Sequence, residues 1–357
     1  MILVTKPFMP PYEEYQEYLR GIWEREYLTN DGPLVKELEK VLSKYLNVDK
    51  TLFTNNGTIA LQIAIKALGL TGEIITTPFS YVATTSSIVW EGCTPVFVDI
   101  DPATLNIDST KIEDAITENT TGILATHVYG NPCDIDLIEL IASKHNLKVI
   151  YDAAHCFGTN FKGRSIFEFG DISTSSFHAT KLFHTVEGGA IFSQNSQLMQ
   201  SMRFMRNFGH NGPAKYSGVG INGKNSEIHA AMGLCNLKHM DEVLQMRKEQ
   251  CQLYDELLED NSSITGIDIH QDAEWNHAYY PVIFKSESIL LETIASLNSQ
   301  DIYPRRYFYP SLDSLEYVET AQVEVAKEVS KKVLCLPLYH DLSDKQIEEI
   351  ARIINKI

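Results

Sequence analysis

Short apolar runs alternate with helical patterns from residue 51 to about residue 177, and this alternation constrains the fold more than any other feature of the chain. Gly57 to Leu68 carries Ile59, Ile63, Ala64 and Ala67 on one helical face, with Gly69 as a stop. Glu73 to Thr77 reads as a short strand, Tyr81 to Trp90 as a helix and Pro95 to Asp99 as a strand. Thr121 to Thr126 is another strand, followed by a helix over Asp134 to His145, and Val149 to Asp152 and Ile172 to Phe177 are the next strands. Repeated βα units of this length predict a mostly parallel sheet with helices on both faces. Ligands of such sheets sit at the carboxyl ends of the strands, which is where this reading puts Asp152, Ser176 and Lys181.

Before the alternation, a proline-rich arm over Pro7 to Pro11 leads into two helical patterns. One covers about Tyr12 to Trp23. The other opens near Asn30-Asp31-Gly32-Pro33 and carries Leu34, Leu38, Val41, Leu42 and Leu46 at helical spacing. After the alternation, Ser226 to Leu258 reads as one long helix capped by Ser226 and joining two domains. Beyond Ser262 the pattern is that of a smaller α+β unit, with a strand near Tyr279 to Phe284, a helix near Ser288 to Leu297 and a last helix over Asp344 to Ile357. The expectation is an arm and large domain over residues 1–240 and a small C-terminal domain over 241–357.

The net charge of −17 disfavours a nucleic-acid partner, since phosphate backbones select basic faces. A nucleotide-linked small molecule needs only a local basic patch. The six cysteines, Cys93, Cys133, Cys156, Cys235, Cys251 and Cys335, are scattered without a CxxC pair, which predicts reduced cytoplasmic thiols rather than disulfides or a metal site. No basic-then-apolar leader opens the sequence, and no apolar run approaches the roughly 20 residues that span a bilayer.

The chemistry concentrates around Asp171-Ile172-Ser173-Thr174-Ser175-Ser176-Phe177-His178-Ala179-Thr180-Lys181, with Gly188-Gly189 shortly after. Lysine chemistry of the Schiff-base kind needs a desolvated ammonium held close to one carbonyl carbon. Lys181 stands at a strand exit, where a side chain reaches a pocket. Upstream, Val149-Ile150-Tyr151-Asp152-Ala153-Ala154-His155 delivers a carboxylate at the end of another strand. Thr54-Asn55-Asn56-Gly57-Thr58 opens a helix, and a helix N-terminus favours an anion. A lysine, an aspartate and a phosphate cradle are what a pyridoxal phosphate (PLP) enzyme requires.

These three stretches resemble the DegT/DnrJ/EryC1/StrS family of PLP-dependent sugar aminotransferases, from about Pro7 to the C-terminal helix. The segment Gly220-Ile221-Asn222-Gly223-Lys224-Asn225-Ser226-Glu227 is similar to that of the branch aminating C4 of a dTDP-4-keto-6-deoxy sugar. The resemblance implies fold type I, the aspartate aminotransferase-like fold, with a mostly parallel mixed sheet in the large domain. It implies that Lys181 carries PLP, that Asp152 meets the pyridinium nitrogen and that His155 meets the phenolic oxygen. It further implies that Gly57, Thr58 and Ser176 bind the phosphate, that Tyr81 stacks on the ring with Phe79 as rival, and that Asn222 reaches the phosphate of the other subunit. A cytoplasmic homodimer with shared sites follows from that last role. His178 and the cluster Tyr303-Pro304-Arg305-Arg306-Tyr307-Phe308-Tyr309-Pro310 are expected at the sugar nucleotide, through Arg305, Tyr307 and Tyr309. The implied reaction moves an amino group from L-glutamate to C4 of dTDP-4-keto-6-deoxy-D-glucose, for O-antigen or other polysaccharide, or for deoxysugar biosynthesis.

The sequence departs from many members at Ala179 and Leu182, where proline and asparagine are common. The alternatives are amination at C3, a dehydratase and a regulatory protein that merely binds PLP. Retention of Lys181 and Asp152 argues against the last two. A dinucleotide-binding dehydrogenase would need a G-x-G-x-x-G after the first strand, and none is there.

Overall fold

A seven-stranded sheet forms the centre of the computed structural model, which describes residues 1–357. Its strands run in the order Thr51–Thr54, Gly189–Phe192, Ile172–Ser176, Lys148–Asp152, Thr120–Thr126, Glu73–Thr76 and Thr94–Phe97. All pair in parallel except Gly189–Phe192, which is antiparallel to both neighbours.

Alternation along each strand divides the core. Phe53, Ile75, Ile123, Val149 and Ala190 face one side, where α1 (Tyr12–Arg25), α2 (Pro33–Tyr45), α5 (Ile135–His145) and α7 (Glu227–Leu237) bury their apolar faces. Leu52, Ile74, Leu124, Ile150 and Ile191 face the other, under α3 (Gly57–Ala67), α4 (Val82–Trp90) and α6 (Ser196–Arg206). A sheet covered on both faces favours near-continuous apolar strands; Ile172–Ser176 departs from this with buried Ser173, Thr174 and Ser175.

The expected single helix over Ser226 to Leu258 is two helices. After α7 the chain turns at Lys238 and His239, and α8 (Met240–Leu258) begins. The ammonium of Lys238 and the ring of His239 both meet the Glu14 carboxylate of α1, and His239 also packs on Phe8. Tertiary contacts therefore fix a break that no glycine or proline announces. Met240 and Val243 of α8 belong to the large core, whereas Tyr254 and Leu258 belong to a second core. That second core also takes α9 (Glu287–Asn298), α11 (Asp344–Ile354) and an antiparallel sheet of Ile264–Thr265, Tyr280–Phe284 and Val333–Leu336. The elements not anticipated include α6, α10 (Glu324–Lys332), the strand Val333–Leu336 directly after it, and several two-residue strands such as Ile264–Thr265. The chain's first residues join the C-terminal unit, because Ile2–Leu3 pairs in parallel with Ile302–Tyr303.

Candidate active site

The strands Thr51–Thr54, Ile172–Ser176 and Lys148–Asp152 end side by side at one edge of the sheet, and the inserted antiparallel strand begins there. Gly189 lies in register with both Thr54 and Ser176. A Cβ on Gly189 would stand 2.5 Å from the backbone carbon of Asn56, so only glycine lets the two segments approach this closely. α3 starts at that point, capped by Asn56, whose Oδ1 accepts from Ile59 N–H at 2.8 Å. The N–H groups of Gly57 and Thr58 head the helix, with no preceding turn to supply carbonyls. A Cβ on Gly57 would meet Ser176 Cβ at 2.9 Å, so only glycine lets the helix N-terminus pack directly beside the serine side chain. Asn225 ties the neighbouring segments together, donating to Thr54 O at 3.2 Å and Glu187 O at 2.8 Å.

Asp152 is buried at the end of its strand. Burial pushes its carboxyl up, against the opposing pull of hydrogen bonds from Thr84 and Ala154 N–H and of the Lys181 charge. Thr84 Oγ1 donates to Oδ2 at 2.7 Å and Ala154 N–H to Oδ1 at 3.2 Å. No cation of the chain makes a direct ion pair with it. Lys181 follows the turn in which its own N–H donates to His178 O at 2.9 Å. Desolvation lowers its ammonium from the usual lysine value to about 8, against the attraction of Asp152. Burial also drives His155 well below the usual imidazole value, with the Lys181 charge adding to the effect. Its Nδ1 accepts from Tyr129 N–H at 3.2 Å, so the proton of the neutral ring belongs on Nε2 and that edge remains a donor. The ring lies near-parallel to Tyr129 and Phe308 and is braced edge-on by Tyr279.

The other expected site residues divide. Tyr81 is exposed at the head of α4, with its phenol close enough to act on the Lys181 charge. Its rival Phe79 is fully buried against Tyr129 and Phe308, so it belongs to the core. His178 accepts at Nδ1 from Thr180 and turns Nε2 towards Glu187 at 3.6 Å. Thr58 is exposed. Asn222 is also exposed; its carbonyl meets Asn55 Nδ2 at 3.4 Å and its Oδ1 takes the Lys224 ammonium at 2.6 Å. In the 303–310 loop, Tyr307 is half-buried near Tyr279 and within electrostatic reach of Tyr81 and Arg305. Arg305 is exposed. Arg306 pairs with Glu287 at 2.8 Å and lies 3.7 Å over the Tyr309 ring, so these two side chains hold the loop.

Several residues of the pocket escaped the sequence reading. Ala278 and Tyr279, from the C-terminal half, line the Lys181 pocket with Phe157 and Phe183. Thr84, Ser80 and Thr126 stand behind Asp152. The one available signal was Thr84-Thr85-Ser86-Ser87, an unusually hydroxyl-rich start for a helix that packs on a sheet.

An otherwise parallel seven-stranded sheet with one antiparallel insertion, joined to a smaller C-terminal unit, is the large-domain architecture of fold type I, the fold of PLP-dependent aminotransferases. Within that class the chain belongs to the DegT/DnrJ/EryC1/StrS aminotransferase family, whose pattern matches residues 12–355. It is 44% identical over 362 aligned positions to a dTDP-4-amino-4,6-dideoxy-D-glucose transaminase of Shigella dysenteriae, covering 100% of this chain and 99% of that protein. It is 30% identical to a GDP-perosamine synthase of Caulobacter vibrioides, covering 96% and 95% of the two chains. Among solved structures, DesI crystallised in the presence of its TDP-sugar product superposes with a TM-score of 0.95 at 32% identity, covering 99% of this chain and 92% of that one. The chain is therefore an aminotransferase of the sugar-modifying family.

Proposed function

We propose that the chain binds PLP at Lys181 and transfers an amino group from L-glutamate to C4 of dTDP-4-keto-6-deoxy-D-glucose. The observation that carries the reading is the meeting, at one sheet edge, of a desolvated lysine, a buried carboxylate without a cationic partner and a helix N-terminus beside a serine hydroxyl. Each fits one part of the cofactor. The phosphate would sit at the N-terminus of α3, held by the N–H groups of Gly57 and Thr58 and by Ser176, which packs against Gly57. Asp152 takes the protonated pyridine nitrogen, and a cation there relieves the cost of its burial. His155 Nε2–H would donate to the phenolic oxygen, and the exposed Tyr81 would lie against the ring.

PLP, when bound, supplies an aldehyde that condenses with amines and a pyridinium ring that withdraws electrons. The chain's task is to hold that ring and move protons. Lys181 Nζ would be the group that takes the proton from the donor Cα. In the second half it delivers a proton to C4 of the sugar, which leaves carrying the amine. An amine lowered to about 8 exchanges protons readily near neutral pH.

The substrate assignment follows the Shigella relative, together with a basic and aromatic loop, Arg305, Tyr307 and Tyr309, suited to a pyrophosphate and a base. His178 is assigned to the same substrate. The functional unit is a dimer in which Asn222 of one subunit serves the phosphate of the other. Exposed Phe208, Tyr216, Val219 and Ile221 around Asn222 support it, since a lone soluble chain rarely leaves such a group uncovered. The proposed division into a large domain over 1–240 and a small one over 241–357 is supported by the separate core around Tyr254 and Leu258, with the first residues of the chain joined to the small domain.

The test is product analysis. Purified protein with PLP, glutamate and dTDP-4-keto-6-deoxyglucose should give 2-oxoglutarate and a dTDP-sugar with nitrogen at C4 by NMR. Turnover only with the 3-keto isomer would overturn the C4 assignment. Failure with every keto sugar while glutamate is consumed would overturn the sugar acceptor.

A further inference from the structure

Behind Asp152, away from Lys181, three buried hydroxyls stand in line. Thr84 Oγ1 lies 2.7 Å from Asp152 Oδ2, Ser80 Oγ lies 2.7 Å from Thr84 Oγ1, and Thr126 Oγ1 lies 3.0 Å from Ser80 Oγ. All four side chains are almost fully removed from solvent. They come from three elements: Thr84 from α4, Ser80 from the loop before it, and Thr126 from the end of the central strand Thr120–Thr126. The chain spends four polar groups in a place where apolar ones would pack at no cost in hydrogen bonds.

The chemistry of the groups gives this line a direction. An ionised carboxylate only accepts, and each hydroxyl has one proton to donate. With Asp152 ionised, Thr84 donates to Asp152, Ser80 to Thr84 and Thr126 to Ser80, and every proton has an acceptor. With Asp152 protonated on the facing oxygen, the order must reverse. Thr126 then receives from Ser80 and its own proton is left without an acceptor, because Ser80 is its only hydrogen-bonding partner. Buried donors without acceptors are expensive, and aligned hydroxyls polarise one another. The remaining groups facing Asp152 are Ala154 N–H, the Lys181 ammonium and the Cys156 thiol. None of them replaces the donor at Oδ2.

We propose that Thr126, Ser80 and Thr84 form a one-way hydroxyl relay that holds Asp152 ionised and fixed in orientation, with Thr84 as a positioning residue for the pyridinium contact. This rests on the role proposed above for Asp152. The relay supplies the charge stabilisation that a buried carboxylate would otherwise take from a neighbouring cation, and it leaves Oδ1 turned to the Ala154 side.

The test measures binding rather than turnover. The full-length cofactor-free chain is titrated with PLP and with an analogue in which CH replaces the ring nitrogen, following intrinsic fluorescence. The wild type should prefer PLP, because only PLP offers Asp152 a proton. Thr84→Val should cut that preference about tenfold, the scale of a hydrogen bond to a charged group. Thr84→Ser should restore it, and Ser80→Ala should give an intermediate loss. If Thr84→Val does not fold, Ser80→Ala and Thr84→Ser carry the comparison. A preference unchanged in the variants, or an equal weakening of both ligands, would overturn the relay. A wild type that binds both ligands alike would overturn the role of Asp152 itself.

Discussion

Lys181 combines two properties that pull against each other. Its amine must be desolvated enough to lose a proton, yet near enough to Asp152 for the carboxylate to compensate the charge when it is present. Burial wins, and the ammonium falls to about 8. The free amine is therefore the majority form above that pH and the minority form below it. In the cofactor-free chain, acylation of Lys181 by a small amine-reactive reagent should rise with pH to a half-maximum at about 8, while surface lysines stay in the ordinary range; mass spectrometry of the labelled peptide reads this out. A half-maximum near the ordinary lysine value would mean a solvated amine. Because the unfolded chain binds a proton here that the folded one releases, the lysine's contribution to stability grows as pH rises from about 8 to the usual lysine value. At this scale the sequence was legible where chemistry-bearing residues end strands, as Asp152 and Ser176 do, or follow one in a turn, as Lys181 does. It was not legible where a role depends on a distant partner. Nothing local tells Arg305 from Arg306; the difference is made by Glu287, which claims the second. Likewise nothing local separates Thr84 from an ordinary helix hydroxyl.

Elements carry the site through their ends. α2 has no side-chain cap of its own, because Gly32 precedes it. The carboxylate of Glu227, fully buried at the start of α7, accepts instead from Leu34 N–H and Val35 N–H at 2.9 Å each. One residue thus fastens two helices, directly after the N-cap Ser226. Glu227→Ala should destabilise the fold by about 2–4 kcal/mol, the cost of two buried donors left without acceptors, and Glu227→Gln by less. Denaturant unfolding measures both, and a loss below about 0.5 kcal/mol for the alanine variant would mean that water or a neighbour replaces the cap. Ser226 was legible as the cap, but the reach of Glu227 across 193 residues to Leu34 was not. The strand Val333–Leu336 was hidden for a related reason. It follows α10 with no turn residue between, and Val333 both ends the helix and begins the strand.

On the scale of the whole molecule, the βα alternation was enough to foresee a sheet covered on both sides, with ligands at its strand ends. The strand order was not readable, because the pairing of Gly189 with both Thr54 and Ser176 joins segments distant in sequence. Two subunits are needed if Asn222 serves the partner's phosphate, and this has a consequence that mixing reveals. A hybrid of a Lys181→Ala chain with an Asn222→Ala chain has one site lacking both residues and one site lacking neither. Such hybrids, isolated by dual affinity tags, should show about half the activity of the wild-type dimer although each parent is impaired. Hybrids no better than the parents would mean that each chain serves its own phosphate.

The most direct measurement of the central claim is covalent. The full-length chain is incubated with PLP, reduced with borohydride, digested and mapped by mass spectrometry. The account predicts a phosphopyridoxyl group on Lys181 and its loss in Lys181→Arg. Stable, stoichiometric labelling of another lysine, or none at all in folded protein, would contradict it.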